Sequence, residues 1–425
     1  MKNTENYRNK RVIIVGLARS GLASANLLHG LGAKVSITDS QDSEVIRANA
    51  ASLRLKDIRV ELGAHTREFV KDNDLMVISP GVKSNAQPVI WAQELQIPVI
   101  SEIEFAAGLC PGKIIAVTGS NGKTTVTTLI GKVIEAGMHH AFVCGNIGTP
   151  FSSLVDKINE NDFVSLEVSS FQLEKISRFK PYIAVILNIT KNHLDRHKDM
   201  QEYLNAKKRI YMNQDESDFL VLNSEDPVLK DLAKEVKSKV VFFGRSAGLN
   251  PNEAAVLAIG SILGVSREKI LKAFKNFSGL EHRMEFVAEI KKVRFINDSK
   301  ATTADSAKWA LENLNCPVFL IAGGKDKGVD YGLIKEAARK KVKELILIGE
   351  ARENIARALA GELKIDAAGT LDEAVRKAFS RASAGDCVLL SPMCSSFDMF
   401  TNYEERGRAF KDSVSKLAKE NKYGP

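Results

Sequence analysis

The chain has 425 residues, a formal net charge of +8 and 44% hydrophobic residues. That length exceeds what one core supports, so two or three domains are expected. The polar start MKNTENYRNK and the lack of any apolar run of about eighteen residues lead us to expect no signal peptide, no membrane span and a cytoplasmic location. The cysteines Cys110, Cys144, Cys316, Cys387 and Cys394 form no CxxC pair, which argues against structural zinc and disulfides and for buried, reduced thiols. Basic residues are interleaved with acidic ones, and no aromatic-basic RNA motif is present. Small anionic ligands therefore rank above nucleic acid.

Short β-branched runs alternate with amphipathic stretches, the mark of parallel sheets covered by helices. RVIIVG, KVSITD and DLMVISPG come first. KIIAVTG, DFVSLEVSS, YIAVILNIT, DFLVLN and KVVFFG follow, giving way to a helical pattern from about Asn252. After a turn at Gly279 to Arg283 come VRFINDS, PVFLIAGG, ELILIGE and DCVLLSP. The reading is α/β, three tandem domains over 1–104, 105–279 and 280–425: Rossmann-like, P-loop ATPase-like and Rossmann-like.

In the first domain, RVIIVGLARSGLASANLL reads as strand, G-x-x-x-x-G and helix, with Asp39 ending the next strand. Ala18 stands where a GxGxxG fingerprint has glycine, so NAD and a uridine diphosphate at the helix N-terminus fit equally well. In the second, GSNGKTT follows the strand KIIAVT and opens a helix near Lys123. Gly119 and Gly122 let backbone amides turn inward around Ser120 and Asn121, Lys123 adds a point charge, and Thr124 or Thr125 can reach magnesium. The spacing is one residue tighter between glycines than GxxxxGK[ST]; the bland alternative is an unliganded glycine-rich turn.

TGSNGKTT resembles the ATP loop of the Mur ligases, which build the peptide stem of peptidoglycan, and of their folylpolyglutamate synthase relatives. GNIGTPF (Gly145 to Phe151), LEVSSFQLE (Leu166 to Glu174), ILNITKNHLDRH (Ile186 to His197), AKKRIY (Ala206 to Tyr211), HRME (His282 to Glu285), INDSKATT (Ile296 to Thr303), GGKDKG and LLSPMCSSFDMFTNYEERG follow in family order. The SSFQLE and SPxxxSxDxFxxxxxRG stretches resemble the member that adds D-glutamate.

The resemblance implies an ATP-dependent ligase that adds D-glutamate to UDP-N-acetylmuramoyl-L-alanine through an acyl phosphate, acting as a monomer on small molecules. It implies two magnesium ions, with Thr125, Glu167, His193 and Lys207 as metal residues, Lys207 carrying a carbamate. Lys123 and Arg283 would screen the transferring charge, and Asp298 would meet the ribose. Arg19, Ser20, Asp39, Ser40, Ser79, Gly81, Asn146 and His193 would face the UDP-substrate; Thr302, Lys327, Ser396, Phe397 and Tyr403 would frame D-glutamate. Without the family, Glu167 reads as a helix-start charge, Lys207 and Lys208 as solvated helix residues, Arg283 and Asp298 as an interdomain salt bridge, and SPG as a plain turn. LLSPMCSSFD also reads as a strand end plus a helix capped by Ser395 or Ser396.

Two departures stand out. Lys191 and Asn192 replace a usual acidic pair. The second domain is shortened, running from VVFFG almost directly into NEAAVLAIGSILG without a clear His-Asn pair for adenine, a role left to Asn250 or Asn252. Rival readings are another Mur ligase, a folylpolyglutamate synthase-like ligase, a non-catalytic nucleotide-binding relative, and an NAD oxidoreductase.

Overall fold

The computed structural model describes residues 1–53, 58–146, 148–190, 197–246, 248–277, 279–326 and 328–422. His193, Lys327, Lys191 and Asn192 lie outside them. The chain folds into two compact units, Met1–Phe277 and Ser278–Pro425. No helix among the described residues is long and apolar enough to cross a membrane.

The first unit holds two sheets. Strands β1 (Arg11–Val15), β2 (Lys34–Asp39), β3 (Arg59–Leu62), β4 (Leu75–Ile78) and β5 (Val99–Ser101) pair in parallel in the order β3-β2-β1-β4-β5. This is one half of a dinucleotide-type sheet, with its topological switch between β1 and β4. Strands β6 (Lys113–Thr118), β7 (Ala141–Gly145), β8 (Phe163–Glu167), β9 (Ile183–Ile186), β10 (Phe219–Asn223) and β11 (Lys239–Phe243) form a second parallel sheet, ordered β11-β10-β9-β6-β8-β7. Its central strands are apolar because helices cover both faces. Val126, Ile130 and Val133 of the helix Lys123–Ala136 pack with Ile259 of the helix Pro251–Ile262 on one of them.

One apolar core joins the two sheets. Val12, Ile14 and Ile37 belong to the same buried cluster as Ala116, Leu166 and Ile186, with Phe105 and Leu109 of the helix Glu102–Leu109 among them. The fully buried Phe105 meets Tyr7 edge to face, 5.2 Å between centroids. Glu102, also buried, accepts the Ser152 amide at 2.7 Å, so its polar end is satisfied inside this core.

The second unit holds β12 (Glu285–Ile290), β13 (Val293–Asn297), β14 (Val318–Gly323), β15 (Val342–Ile348), β16 (Ile365–Ala367) and β17 (Cys387–Leu390), ordered β12-β13-β17-β14-β15-β16. All pairs are parallel except the β12–β13 hairpin. All five cysteines are buried free thiols.

The helix read at Ser395 or Ser396 is not there. The Ser396 carbonyl instead accepts the Met399 and Phe400 amides at 3.1 and 2.8 Å, closing turns, and the next helix begins at Tyr403. Six residues separate Ser396 from Tyr403, so neither serine caps that helix's orphan amides.

Candidate active site

The phosphate loop leaves β6 at its carboxyl end, beside those of β8 and β9. Gly122 caps the helix Lys123–Ala136 at φ +83°, in the left-handed region that a side chain resists. A Cβ there would also lie 2.4 Å from Asn252 Oδ1, so the helix Pro251–Ile262 presses its first turn against the loop. Asn250 is committed to capping that helix, its Oδ1 accepting the Asn252 and Glu253 amides at 3.0 Å each. Of the two asparagines, Asn252 is the one at the loop.

The loop is braced on every side. Asn188 accepts from the Asn121 amide at 2.9 Å and donates to its carbonyl at 3.2 Å. Ser120 Oγ receives the Thr190 amide at 2.9 Å and sits 3.1 Å from the Tyr203 hydroxyl. Lys123 Nζ donates to the Gly119 and Ser120 carbonyls at 2.9 and 3.0 Å. Thr124 is buried and Thr125 half-buried in the first helical turn, where the helix dipole and amides favour anions.

Lys207 is buried beneath this loop, 1% exposed, so it is no solvated helix residue; Lys208, its neighbour, pairs with Glu235 at 2.8 Å instead. Lys207 Nζ donates to Thr118 Oγ1 and the Gly119 carbonyl at 3.2 and 3.0 Å and lies 4.5 Å from the Tyr203 ring centroid. Burial first, then the nearby Lys123 charge, pushes its pKa well below the ordinary lysine value, against an opposing pull from Glu167. Burial thus works against the charged form of this amine.

Glu167 ends β8, 2% exposed. Its Oε1 accepts Asn146 Nδ2 at 2.9 Å, while its buried Oε2 has no hydrogen-bond partner among the described residues. A buried carboxylate oxygen left unpaired is costly, and a hard divalent cation is the partner that suits it. Among the described residues no group of three or more His, Cys, Asp and Glu side chains gathers into a protein-only metal cage. The donors present fit a metal that also draws on phosphate oxygens.

Asn146 links this corner to a cleft of about 700 Å³ at the switch point of the first sheet. Arg19, Ser20, Asp39, Ser40, Ser79, Gly81 and Asn146 all line it. The cleft depends on the close approach of helix to strand: a Cβ on Gly21 would fall 1.8 Å from the Gly16 carbonyl oxygen. Asp39 accepts the Leu17 and Gln41 amides at 2.7 and 2.9 Å, and Ser79 Oγ donates to the Gly16 carbonyl at 2.8 Å. SPG is thus a wall of the cleft as well as a turn. His65, which nothing in the sequence singled out, also lines it; its Nδ1 lies 2.7 Å from Thr38 Oγ1, and burial lowers its pKa.

In the second unit, Asp298 follows β13. It accepts Ser391 Oγ at 2.9 Å and the Met284 amide at 3.2 Å, and burial pushes its pKa up to about 7 against the pull of Ser391 and Arg283. Arg283 stands between His282 and Met284, both non-glycine residues in left-handed backbone at φ +63° and +46°. Such strain persists only where the surroundings enforce it. His282 is buried against Gly407, on which a Cβ would meet its Nδ1 at 2.1 Å. Ser396 is buried, Thr302 and Tyr403 are half-buried, and Phe397 is 71% exposed. Lys325, two residues before Lys327, is paired with Glu350 at 2.6 Å.

Three family descriptions match the chain: "Mur ligase MurD-like, N-terminal domain" over residues 10–101, "Mur ligase middle domain" over 117–270 and "Mur ligase, glutamate ligase domain" over 282–394. A UDP-N-acetylmuramoylalanine--D-glutamate ligase from Koribacter versatilis is 41% identical over 450 residues, covering 98% of this chain and 99% of the relative. One of the same name from Thermoanaerobacter pseudethanolicus is 40% identical over 449 residues, covering 96% and 99%. Both alignments are longer than this chain, so the relatives carry segments that it lacks. Among solved structures, the UDP-N-acetylmuramate-alanine ligase MurC from Thermotoga maritima superposes with TM-score 0.60 at 18% identity, covering 96% of this chain and 100% of that one. MurF ligase from Thermotoga maritima, in complex with ADP, gives 0.58 at 16%, covering 98% of each. These two likenesses concern the fold.

Proposed function

Since the chain belongs to the Mur ligase family, we propose that it is an ATP-dependent acid–D-amino-acid ligase, joining D-glutamate to UDP-N-acetylmuramoyl-L-alanine in cytoplasmic peptidoglycan synthesis. The observation that carries this reading is the corner where the braced loop, the buried Lys207 and the half-satisfied Glu167 meet, joined through Asn146 to a nucleotide-sized cleft. A non-catalytic relative has no use for a buried amine and an orphaned carboxylate oxygen at a phosphate loop. The relatives' shared name supports the choice of amino acid.

In this reading a carboxylate oxygen of the muramoyl-alanine substrate takes the γ-phosphoryl group of ATP, releasing ADP. The D-glutamate amine then attacks the acyl carbon, loses a proton, and phosphate leaves as the amide forms. Lys123 and the amides at the helix N-terminus hold the transferring phosphoryl group, and electrostatic stabilisation of this kind is often the largest catalytic contribution. Thr125, Glu167, a carbamylated Lys207 and His193 would hold magnesium, which when bound neutralises phosphate charge. The neutral amine of Lys207 is the form that adds carbon dioxide. Arg283 and Asp298 are assigned to the nucleotide, and Thr302, Lys327, Ser396, Phe397 and Tyr403 to D-glutamate. Arg19, Ser20, Asp39, Ser40, Ser79, Gly81 and Asn146 are assigned to the UDP-substrate.

The test is phosphate release and product mass with ATP, the UDP-muramoyl substrate and D-glutamate, L-glutamate, L-alanine or meso-diaminopimelate offered separately. Phosphate release and a product with D-glutamate are expected. Preference for another acceptor removes the assignment, and nucleotide binding without phosphate release removes the ligase reading altogether.

A further inference from the structure

Arg406 is among the largest fully buried side chains of the protein, 1% exposed in the first turn of the helix Tyr403–Lys422. Among the described residues no carboxylate lies within ion-pair distance of its guanidinium. Its hydrogen-bond partners are neutral oxygens: Nε donates to Ser299 Oγ at 3.0 Å, Nη2 to the Ser299 carbonyl at 2.8 Å, and Nη1 to the Cys394 carbonyl at 3.1 Å. Ser299 Oγ in turn donates to the Tyr403 carbonyl at 2.8 Å. A Cβ on Gly324 would lie 3.1 Å from Nη1 and 2.3 Å from the Ser395 carbonyl oxygen, so the loop after β14 closes over the same group.

One buried fork thus bonds the loops that follow β13 and β17, with Gly324 of the loop after β14 packed against it, and the two bonded loops carry Thr302 and Ser396. Burying an unpaired guanidinium is expensive, and a fold that needed only a crosslink could use neutral groups. We propose that Arg406 is a positioning residue of the amino-acid site: it sets these loops in register, and its buried positive charge, held by neutral oxygens without a bonded carboxylate, favours an acceptor that brings carboxylates. The inference rests on the D-glutamate reading and deepens it. Asp398 is a carboxylate that partly offsets its charge without a hydrogen bond to it; its Oδ2 accepts the Glu350 amide at 2.9 Å and its buried Oδ1 has no hydrogen-bond partner among the described residues.

The test compares Arg406→Lys, which keeps the charge and loses the fork, with Arg406→Met, which loses both, and Ser299→Ala, which cuts the link to Tyr403 without a large cavity. Steady-state constants for ATP, UDP-substrate and D-glutamate are measured separately in the full chain, beside thermal unfolding. The D-glutamate KM is expected to rise about tenfold for the lysine variant, about a hundredfold for the methionine variant and a fewfold for Ser299→Ala. The KM values for the other two substrates should stay within about twofold. Weakening of all three substrates together with a lower unfolding temperature marks a purely structural residue and overturns the proposal. So does an unchanged D-glutamate KM in any folded Arg406 variant. If Arg406→Met does not fold, Ser299→Ala and Arg406→Lys decide. A wild-type enzyme that ignores D-glutamate defeats the underlying reading instead, a result visible before any variant is made.

Discussion

Lys207 and Arg406 are both buried cations at the carboxyl ends of parallel strands, yet they answer the same desolvation problem in opposite ways. The central sheet uses a lysine, whose ammonium can shed its proton when burial makes the charge too costly. The third sheet uses an arginine. Burial lowers its pKa only to about 10, so it remains a cation and must be held by oxygens. A neutral amine is open to covalent chemistry. A permanent planar cation is suited to fixing geometry and potential. In the proposed reading, the choice of cation therefore divides labour between the sheet assigned to phosphate and the sheet assigned to the amino acid.

The sharpest way to break this contrast is at Lys207. Lys207→Ala should lower turnover by about a thousandfold or more, and short-chain carboxylates should restore part of it by replacing a carbamate's oxygens. Lys207→Arg, which cannot become neutral, should be as inactive and beyond rescue. Phosphate release with and without added acetate or propionate reads both outcomes; an active Lys207→Arg enzyme ends the carbamate assignment.

Lys123→Ala comes next, with turnover down about a hundred- to a thousandfold and an unfolding temperature close to that of the wild type. Its amine donates to loop carbonyls at 2.9 and 3.0 Å, at the mouth of the helix rather than in the apolar core.

Asp298 provides a third buried ionisable group, of opposite sign. Its pKa is raised from 3.8 to about 7, so the folded state holds a proton that the unfolded chain has released between those values. Its contribution is complete below about pH 4, fades as pH rises toward 7 and is constant above. The loss amounts to on the order of 2–4 kcal/mol. Asp298→Asn should flatten that part of the stability curve, as followed by chemical denaturation at stepped pH. A curve parallel to the wild type's shows that the group titrates normally.

The smallest effect is expected at Asn252. Asn252→Ala should raise the ATP KM severalfold and leave the D-glutamate KM alone, and ATP should be poorly distinguished from GTP in competition, since the central domain is short. Strong ATP preference means that another segment supplies the adenine wall.

How much of this is legible in the sequence follows burial. Every β-branched run read as a strand is one, and the strands that escape notice are β3, β5, β7, β12 and β16, all at sheet edges. Half-exposed edge positions do not select the continuous apolar runs that central strands need, as the mixed burial of β12 beside the fully buried β14 shows. The phosphate loop is legible because its glycines and lysine are local. Arg406 stands in the sequence only as the arginine of the SPxxxSxDxFxxxxxRG stretch, and its burial is not legible: it sits in a helix with an overall polar pattern, enclosed by Ser299 and Gly324, far away in sequence. Asn250 and Asn252 are indistinguishable as letters; only the capping geometry separates them.

The apolar core shared by the first two sheets bears on any attempt to dissect the gene. A cut after Glu104 follows the pattern of strands, but it passes through the helix that carries Phe105 and Leu109 and opens the packing around Phe151 and Val155. Each fragment would expose a contiguous oily face and should precipitate or be degraded when made alone. Fragments bounded near Phe277 divide the chain without cutting a core, so proteases and library truncations should find their tolerated boundary there.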